Sequence, residues 1–187
     1  MSQSTVSLRL VALDLDGTLL NHQSGISPLT RQAIAAAVSH GVVVLPATGR
    51  PLASLPPVVA QLPGIRYAIT SNGASVWDLG SDPLGCVYSR YSNAAERETS
   101  DPICLIQNVF PVQKAREVFA LFQEYDGRMS VFSDGYSVKD EHGIRLTARF
   151  AKQKSTEANQ PDDGRFTVVR DLAEWMSRHA HAVEKFC

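Results

Sequence analysis

Cysteine is scarce in this chain. The three present, Cys86, Cys104 and Cys187, are odd in number and far apart. They show neither the paired spacing of a zinc site nor a redox Cys-x-x-Cys. Each therefore reads as a small buried side chain, and a reducing cytoplasm is the simplest home. An excess of either charge is also missing, since 18 basic residues face 19 acidic ones for a net of -1. No general field draws the chain to nucleic acid or to an anionic membrane, although a local phosphate site stays open. The N-terminus lacks a basic region followed by an apolar run and a cleavage site, so no secretory signal is read. No stretch is long and apolar enough to span a bilayer, and no repeat or low-complexity tract is evident. What remains is ordinary globular composition in 187 residues, enough for one large domain or two small ones.

The apolar run Val6 to Leu13 predicts a first strand, mainly buried as in a parallel sheet. Ser27 as N-cap and Pro28 at the first helical position open a helix. Leu29, Ala33, Ile34, Ala37 and Val38 recur at helical spacing, and Gly41 suits its C-terminal end. Val42 to Leu45 predicts the second strand. Pro56 and Pro57 break the next helical stretch, so a short helix to Leu55 and another from about Pro57 to Leu62 are expected. Tyr67 to Thr70 predicts the third strand. Beyond Ser75 the pattern changes. Short strands are expected at Ser75 to Trp77 and Cys86 to Tyr88, and a polar linker at Asn93 to Asp101. A helix is expected from Val112 to Tyr125, with Ala115, Val118, Phe119, Leu121 and Phe122 on its apolar face. Strands follow at Met129 to Ser133 and Phe166 to Val169, with an irregular one at Tyr136 to Asp140. Arg149 to Arg165 reads as a solvated helix or loop. Asp171 caps a helix through Met176 or Ser177, and Val183 to Cys187 starts another strand.

Three polar turns follow the first three strands, at Asp14–Thr18, Thr48–Arg50 and Ser71–Gly73. Open α/β folds bind ligands at the carboxyl ends of their strands. In the first turn Asp14 and Asp16 stand two residues apart, so both could face one pocket, and Gly17 permits a sharp turn. Carboxylates beside a buried strand are paired, bind metal, do chemistry, or bond backbone N–H groups in a loop. Phosphoryl transfer would give each turn a task. Asp14 would attack phosphorus, and Asp16 would protonate the leaving oxygen and then help activate water. Mg²⁺ would be held by carboxylate and backbone oxygens, with Asp14 and Asp16 as its metal residues. Thr48 and nearby N–H groups, Gly49 included, could bind phosphate oxygen. Arg50 could contact phosphate or substrate, or form a structural ion pair. Asn72 and Gly73 could shape the pocket floor, or form a tight hairpin turn with positive φ.

The segments Asp14-Leu15-Asp16-Gly17-Thr18, Thr48-Gly49-Arg50 and Ser71-Asn72-Gly73-Ala74 resemble, in order and spacing, the haloacid dehalogenase-like hydrolase superfamily, in particular its Cof-type phosphatases with a large cap. The resemblance is strong from Val6 to about Tyr88 and loose to Cys187. It implies a nucleophile at Asp14, a general acid/base and backbone Mg²⁺ ligand at Asp16, and phosphate binding at Thr48. The expected fold is α/β, an incomplete Rossmann-like parallel core with an inserted α+β cap. Residues 1–88 would be the N-terminal part of the core and 89–187 an incomplete cap. Family members return from the cap to supply a lysine and an acidic Gly-Asp motif; no such return is recognisable here. None of Lys114, Lys139, Lys152, Lys154 and Lys185 follows one, so none is assigned that role. The first strand would then lose a neighbour and expose an edge.

The function implied is Mg²⁺-dependent hydrolysis of a small phosphorylated metabolite, a sugar phosphate by resemblance, through an aspartyl-phosphate. A phosphomutase shares the nucleophile, and a catalytically incomplete binding or regulatory protein, or an inactive fragment, would share the turns. A receiver-like phosphoacceptor is disfavoured by the Asp-x-Asp-Gly-Thr turn and the long second region.

Overall fold

The computed structural model describes residues 7–84, 102–125, 129–145 and 166–187. Strand β1 (Leu10–Leu13) runs parallel to β2 (Val43–Pro46), with Leu10 opposite Val43 and Leu13 opposite Pro46. A parallel bridge between Ala47 and Ile69 brings in β3 (Tyr67–Thr70). The order β1-β2-β3 sets three strand ends side by side. Antiparallel strands β4 (Ser75–Asp78) and β5 (Ile103–Gln107) continue from β3. The strand β5 carries no expectation from the sequence, because it lies beside the polar stretch read as a linker.

Helix α1 (Pro28–Ser39) starts where its cap predicts, with Ser27 Oγ accepting the Thr30 N–H at 3.1 Å. Gly41 follows the helix at φ 77, a backbone conformation that glycine adopts without strain. The two-proline stretch resolves into a 3-10 turn (Leu52–Ser54) and the short helix α2 (Pro57–Ala60), as the ring constraints require. The first core packs Leu15, Leu52, Leu55, Val59, Ala68, Trp77 and Leu79. Each such Leu contributes about 1.5–3 kcal/mol by leaving water.

Three burial expectations are corrected. β1 is not mainly buried: Leu10 is 51% exposed and Leu8 62%, and the ladder of β1 among the described residues is to β2. Leu29 of α1 is 75% exposed, and Ile34 is the residue of that helix that is buried. Apolar spacing identifies a helix, but the neighbours present decide how much of the face is covered. Cys104 and Cys187 are also exposed rather than buried.

The second sheet has the order β8-β7-β6-β9, made of β6 (Val131–Ser133), β7 (Tyr136–Asp140), β8 (Phe166–Val169) and β9 (Val183–Phe186). The β7 expected to be irregular is a regular five-residue strand. Asp134 and Gly135 turn between β6 and β7 with φ 50 and 78, as a tight hairpin requires. Helices α3 (Val112–Gln123) and α4 (Leu172–His179) pack on this sheet through Ala115, Phe119, Leu172 and Met176. Leu121 and Phe122 are exposed, so the covered face of α3 is narrower than its pattern predicts. Asp171 caps α4 by accepting the Ala173 and Glu174 N–H groups at 2.7 and 3.1 Å. Residues 86–88, 93–101 and 149–165, for which strand, linker and loop are expected, lie outside the described residues. No helix among the described residues is long and apolar enough to cross a membrane.

The two sheets meet at the strand ends. Ala53 N–H donates to Gly135 O at 2.8 Å, Asn108 N–H to Ala74 O at 2.7 Å, and Phe110 N–H to Val183 O at 2.8 Å.

Candidate functional site

The first turn places Leu15 fully in the core while Asp14 and Asp16 on either side are exposed. Both acids lie just past the end of β1 and face outward on either side of the buried Leu15. Leu19 N–H to Asp14 O at 3.1 Å and Leu20 N–H to Leu15 O at 2.9 Å close the loop, and Gly17 turns it at φ 80. Asp14 Oδ2 accepts Thr18 Oγ1–H at 3.2 Å. Among the described residues neither carboxylate accepts a backbone N–H, so loop capping is not their role.

Asp16 is gripped from the second turn. Arg50 Nη2 donates to Asp16 Oδ1 at 2.7 Å and Arg50 Nε to Oδ2 at 3.1 Å. The hydrogen bonds from Arg50 hold the Asp16 carboxyl below the usual carboxylate range, with the charge of Arg50 assisting and partial burial opposing. Both side chains are substantially exposed, so the pair adds at most about 1 kcal/mol to folding. Its weight is geometric: it joins the first and second turns.

The second and third turns are joined through their backbones. Asn72 N–H donates to Thr48 O at 3.1 Å and Ser71 N–H to Arg50 O at 2.9 Å. Thr48 is 5% exposed, its N–H bonds Ile69 O at 3.0 Å, and its Oγ1 accepts the Arg50 N–H at 3.2 Å. Gly49 leaves room for Asn72: a Cβ there would stand 2.6 Å from Asn72 Oδ1. Ser71 and Asn72 both have left-handed backbones, φ 54 and 60. Each costs about 1–3 kcal/mol outside glycine and persists only where surrounding contacts hold it. Gly73, at φ 92 with open space where a Cβ would be, serves the turn conformationally. The hairpin reading of Asn72 and Gly73 is therefore realised, with the Asn72 amide also packed on Gly49.

All seven residues singled out in the sequence thus gather at one end of the parallel strands. Sequence reasoning placed Ser71 in its turn without a role, weighed Lys185 and assigned it none, and did not single out Gln107 or Glu184. Glu184 is 5% exposed and bonds Ser71, while Lys185 Nζ donates to Gly49 O at 3.1 Å. The signal available was a charged pair inside the apolar strand Val183–Phe186, which a solvated strand end also explains.

The oxygen donors present are hard ones, suited to Mg²⁺, which takes one or two carboxylates plus water and phosphate oxygens. Among the described residues no group of three or more His, Cys, Asp or Glu is placed to hold a metal. Asp14 has its carboxylate to offer; that of Asp16 is engaged by Arg50, leaving its backbone carbonyl as a donor.

A family model for haloacid dehalogenase-like hydrolases matches residues 11–175. The 5-amino-6-(5-phospho-D-ribitylamino)uracil phosphatase YcsE of Bacillus subtilis is 38% identical over 78 residues, 42% of this chain and 31% of the relative. The putative phosphatase YxeH of the same organism is 38% identical over 131 residues, 63% of this chain and 47% of the relative. The structure of a haloacid dehalogenase-like hydrolase from B. subtilis superposes with TM-score 0.62 at 20% identity, covering 90% of this chain and 56% of the other. The matches therefore span about half or less of each relative.

Proposed function

Because the chain belongs to the haloacid dehalogenase-like hydrolase family, we propose that its three turns serve Mg²⁺-dependent hydrolysis of a small phosphorylated metabolite through an aspartyl-phosphate. The observation that carries this reading is the convergence of Asp14–Thr18, Thr48–Arg50 and Ser71–Gly73, bridged by Arg50 on Asp16. Thr18 orients Asp14 by its hydroxyl. An Asp14 carboxylate oxygen attacks phosphorus as the ester oxygen departs, and Asp16 gives that oxygen a proton. Water then attacks the same phosphorus, loses its proton to Asp16, and frees phosphate and Asp14. Asp14 and the Asp16 carbonyl would hold Mg²⁺, whose charge offsets the repulsion between phosphate and carboxylate.

The hold of Arg50 on Asp16 adds a requirement to this reading. A carboxyl kept below its usual range is held ionised and carries no proton to donate. Bound phosphate offers Arg50 a competing bidentate anion. Transfer of the guanidinium to phosphate would free Asp16 to take up the proton it must donate.

The substrate class proposed is a sugar or sugar-alcohol phosphate, in keeping with the ribityl phosphate in the name of the B. subtilis relative. The test is a Mg²⁺-supplemented assay of inorganic phosphate release from a panel of sugar phosphates, with this chain and with Asp14→Asn. Hydrolysis by the first and none by the second is expected. Equal or absent release in both overturns the reading, and phosphoryl transfer to a second hydroxyl without net release assigns a mutase instead.

A further inference from the structure

The turn Thr48–Arg50 has all three of its carbonyl oxygens tied back. Thr48 O accepts from Asn72 N–H and Arg50 O from Ser71 N–H. Gly49 O accepts from Lys185 Nζ, 136 residues away on the second sheet. The N–H of Gly49 bonds no described residue. Thr48 N–H is taken by Ile69 O and Arg50 N–H by Thr48 Oγ1, so Gly49 N–H, on a backbone whose carbonyls are turned away, is the donor this turn offers to an anion.

Lys185 reaches this turn because β9 is irregular. Lys185 stands opposite Phe132 and Val183 opposite Ser133, so the register slips and Glu184 is the extra residue of a bulge. Bulges re-aim side chains that strict alternation would separate. Glu184 and Lys185, adjacent in sequence, consequently both reach the junction. Glu184 is buried, and its carboxylate is satisfied from two sides. Gln107 Nε2 and Gly135 N–H each donate to Oε1 at 3.2 Å, while Ser71 Oγ–H donates to Oε2 at 2.8 Å. A buried carboxylate needs such partners, and removing one leaves a costly orphan. Ser71 is also the first of the two left-handed residues whose N–H groups bond the turn. The Lys185 ammonium lies over the Phe132 ring at 5.1 Å, which steadies it from the sheet side.

We propose that Glu184 and Lys185 are positioning residues through which the second sheet sets the anion affinity of the Thr48–Arg50 turn. Glu184 holds Ser71, and Ser71 with Asn72 holds the outer carbonyls. Lys185 holds the central carbonyl and adds a positive charge beside it. The inference rests on reading this turn as the phosphate site.

Two measurements on the full chain test it. Inorganic phosphate is titrated into wild type, Lys185→Met and Lys185→Arg, following amide shifts by NMR. Loss of the charged hydrogen bond should weaken binding about tenfold in Lys185→Met, with Lys185→Arg restoring most of it. Amide exchange is then measured without ligand. Glu184→Gln and Ser71→Ala should each speed exchange at Ser71 and Asn72 by about tenfold, while Leu79 N–H, bonded to Arg66 O, keeps its rate and reports an intact core. Unchanged phosphate affinity in Lys185→Met, failure of Lys185→Arg to restore it, or unchanged exchange at Ser71 and Asn72 overturns the proposal. A wild-type chain that binds no phosphate refutes the phosphate reading instead, and the exchange arm still decides the positioning because it needs no ligand.

Discussion

Arg50 clasps Asp16 through two parallel hydrogen bonds, of 2.7 and 3.1 Å, across 34 residues of sequence. This contact turns two separate loops into one site, and it favours the ionised form of Asp16. Removing the guanidinium with Arg50→Gln should raise the Asp16 pKa toward its ordinary value of 3.8. Carboxyl carbon shifts followed by NMR titration measure it, and an unmoved midpoint would refute the pairing.

The same pair has a signed effect on stability. The folded pKa of Asp16 is depressed, so its stabilisation is complete above the ordinary value of 3.8 and disappears as pH falls through the lower folded value. The wild-type advantage over Arg50→Gln should be constant at neutral pH, no more than about 1 kcal/mol, and vanish in acid. Urea unfolding across that range tests the sign.

Gly49→Ala should damage the site more than the fold. Its Cβ would fall 2.6 Å from Asn72 Oδ1, so the exposed Asn72 amide must move off the turn. Misplacing a binding group by about 1 Å can cost up to about a hundredfold. A large loss of phosphate affinity with a nearly unchanged Tm is the expected outcome; a full loss of structure would contradict it.

Gly64→Ala should do the reverse. Gly64 has φ 75, and a Cβ there would stand 2.5 Å from Val38 Cγ1 on α1. Strain and overpacking together should cost about 1–3 kcal/mol. Urea unfolding should show the loss, and folded protein should still bind phosphate as wild type does.

Chelation should separate binding from turnover. With hard oxygen donors at Asp14 and Asp16, EDTA should abolish sugar-phosphate hydrolysis and added Mg²⁺ restore it. Full turnover in the presence of chelator would rule out the metal-dependent reading.

Much of the site was legible because its residues sit in short local signals. Asp14 and Asp16 are adjacent to an apolar strand, Thr48 and Arg50 follow a second, and Asn72 and Gly73 a third. The helix starts were legible for the same reason: Ser27 and Asp171 act on N–H groups two or three residues away. The exposure of Leu10 and Leu29 was not legible, because a pattern of apolar residues states which face would be covered and not what covers it. Strand β5 was missed because its partner, β4, lies across a long polar interval.

By itself the sequence determined the βαβαβ order and the carboxylates and turns at its strand ends, since period, cap chemistry and ring constraints act over a few residues. Only the tertiary structure decided that Arg50 holds Asp16, that Ser71 is anchored on Glu184, and that Lys185 reaches Gly49. Those contacts join residues 34, 113 and 136 positions apart, and they exist because parallel pairing aligns the strand ends while a bulge in β9 redirects two side chains toward them.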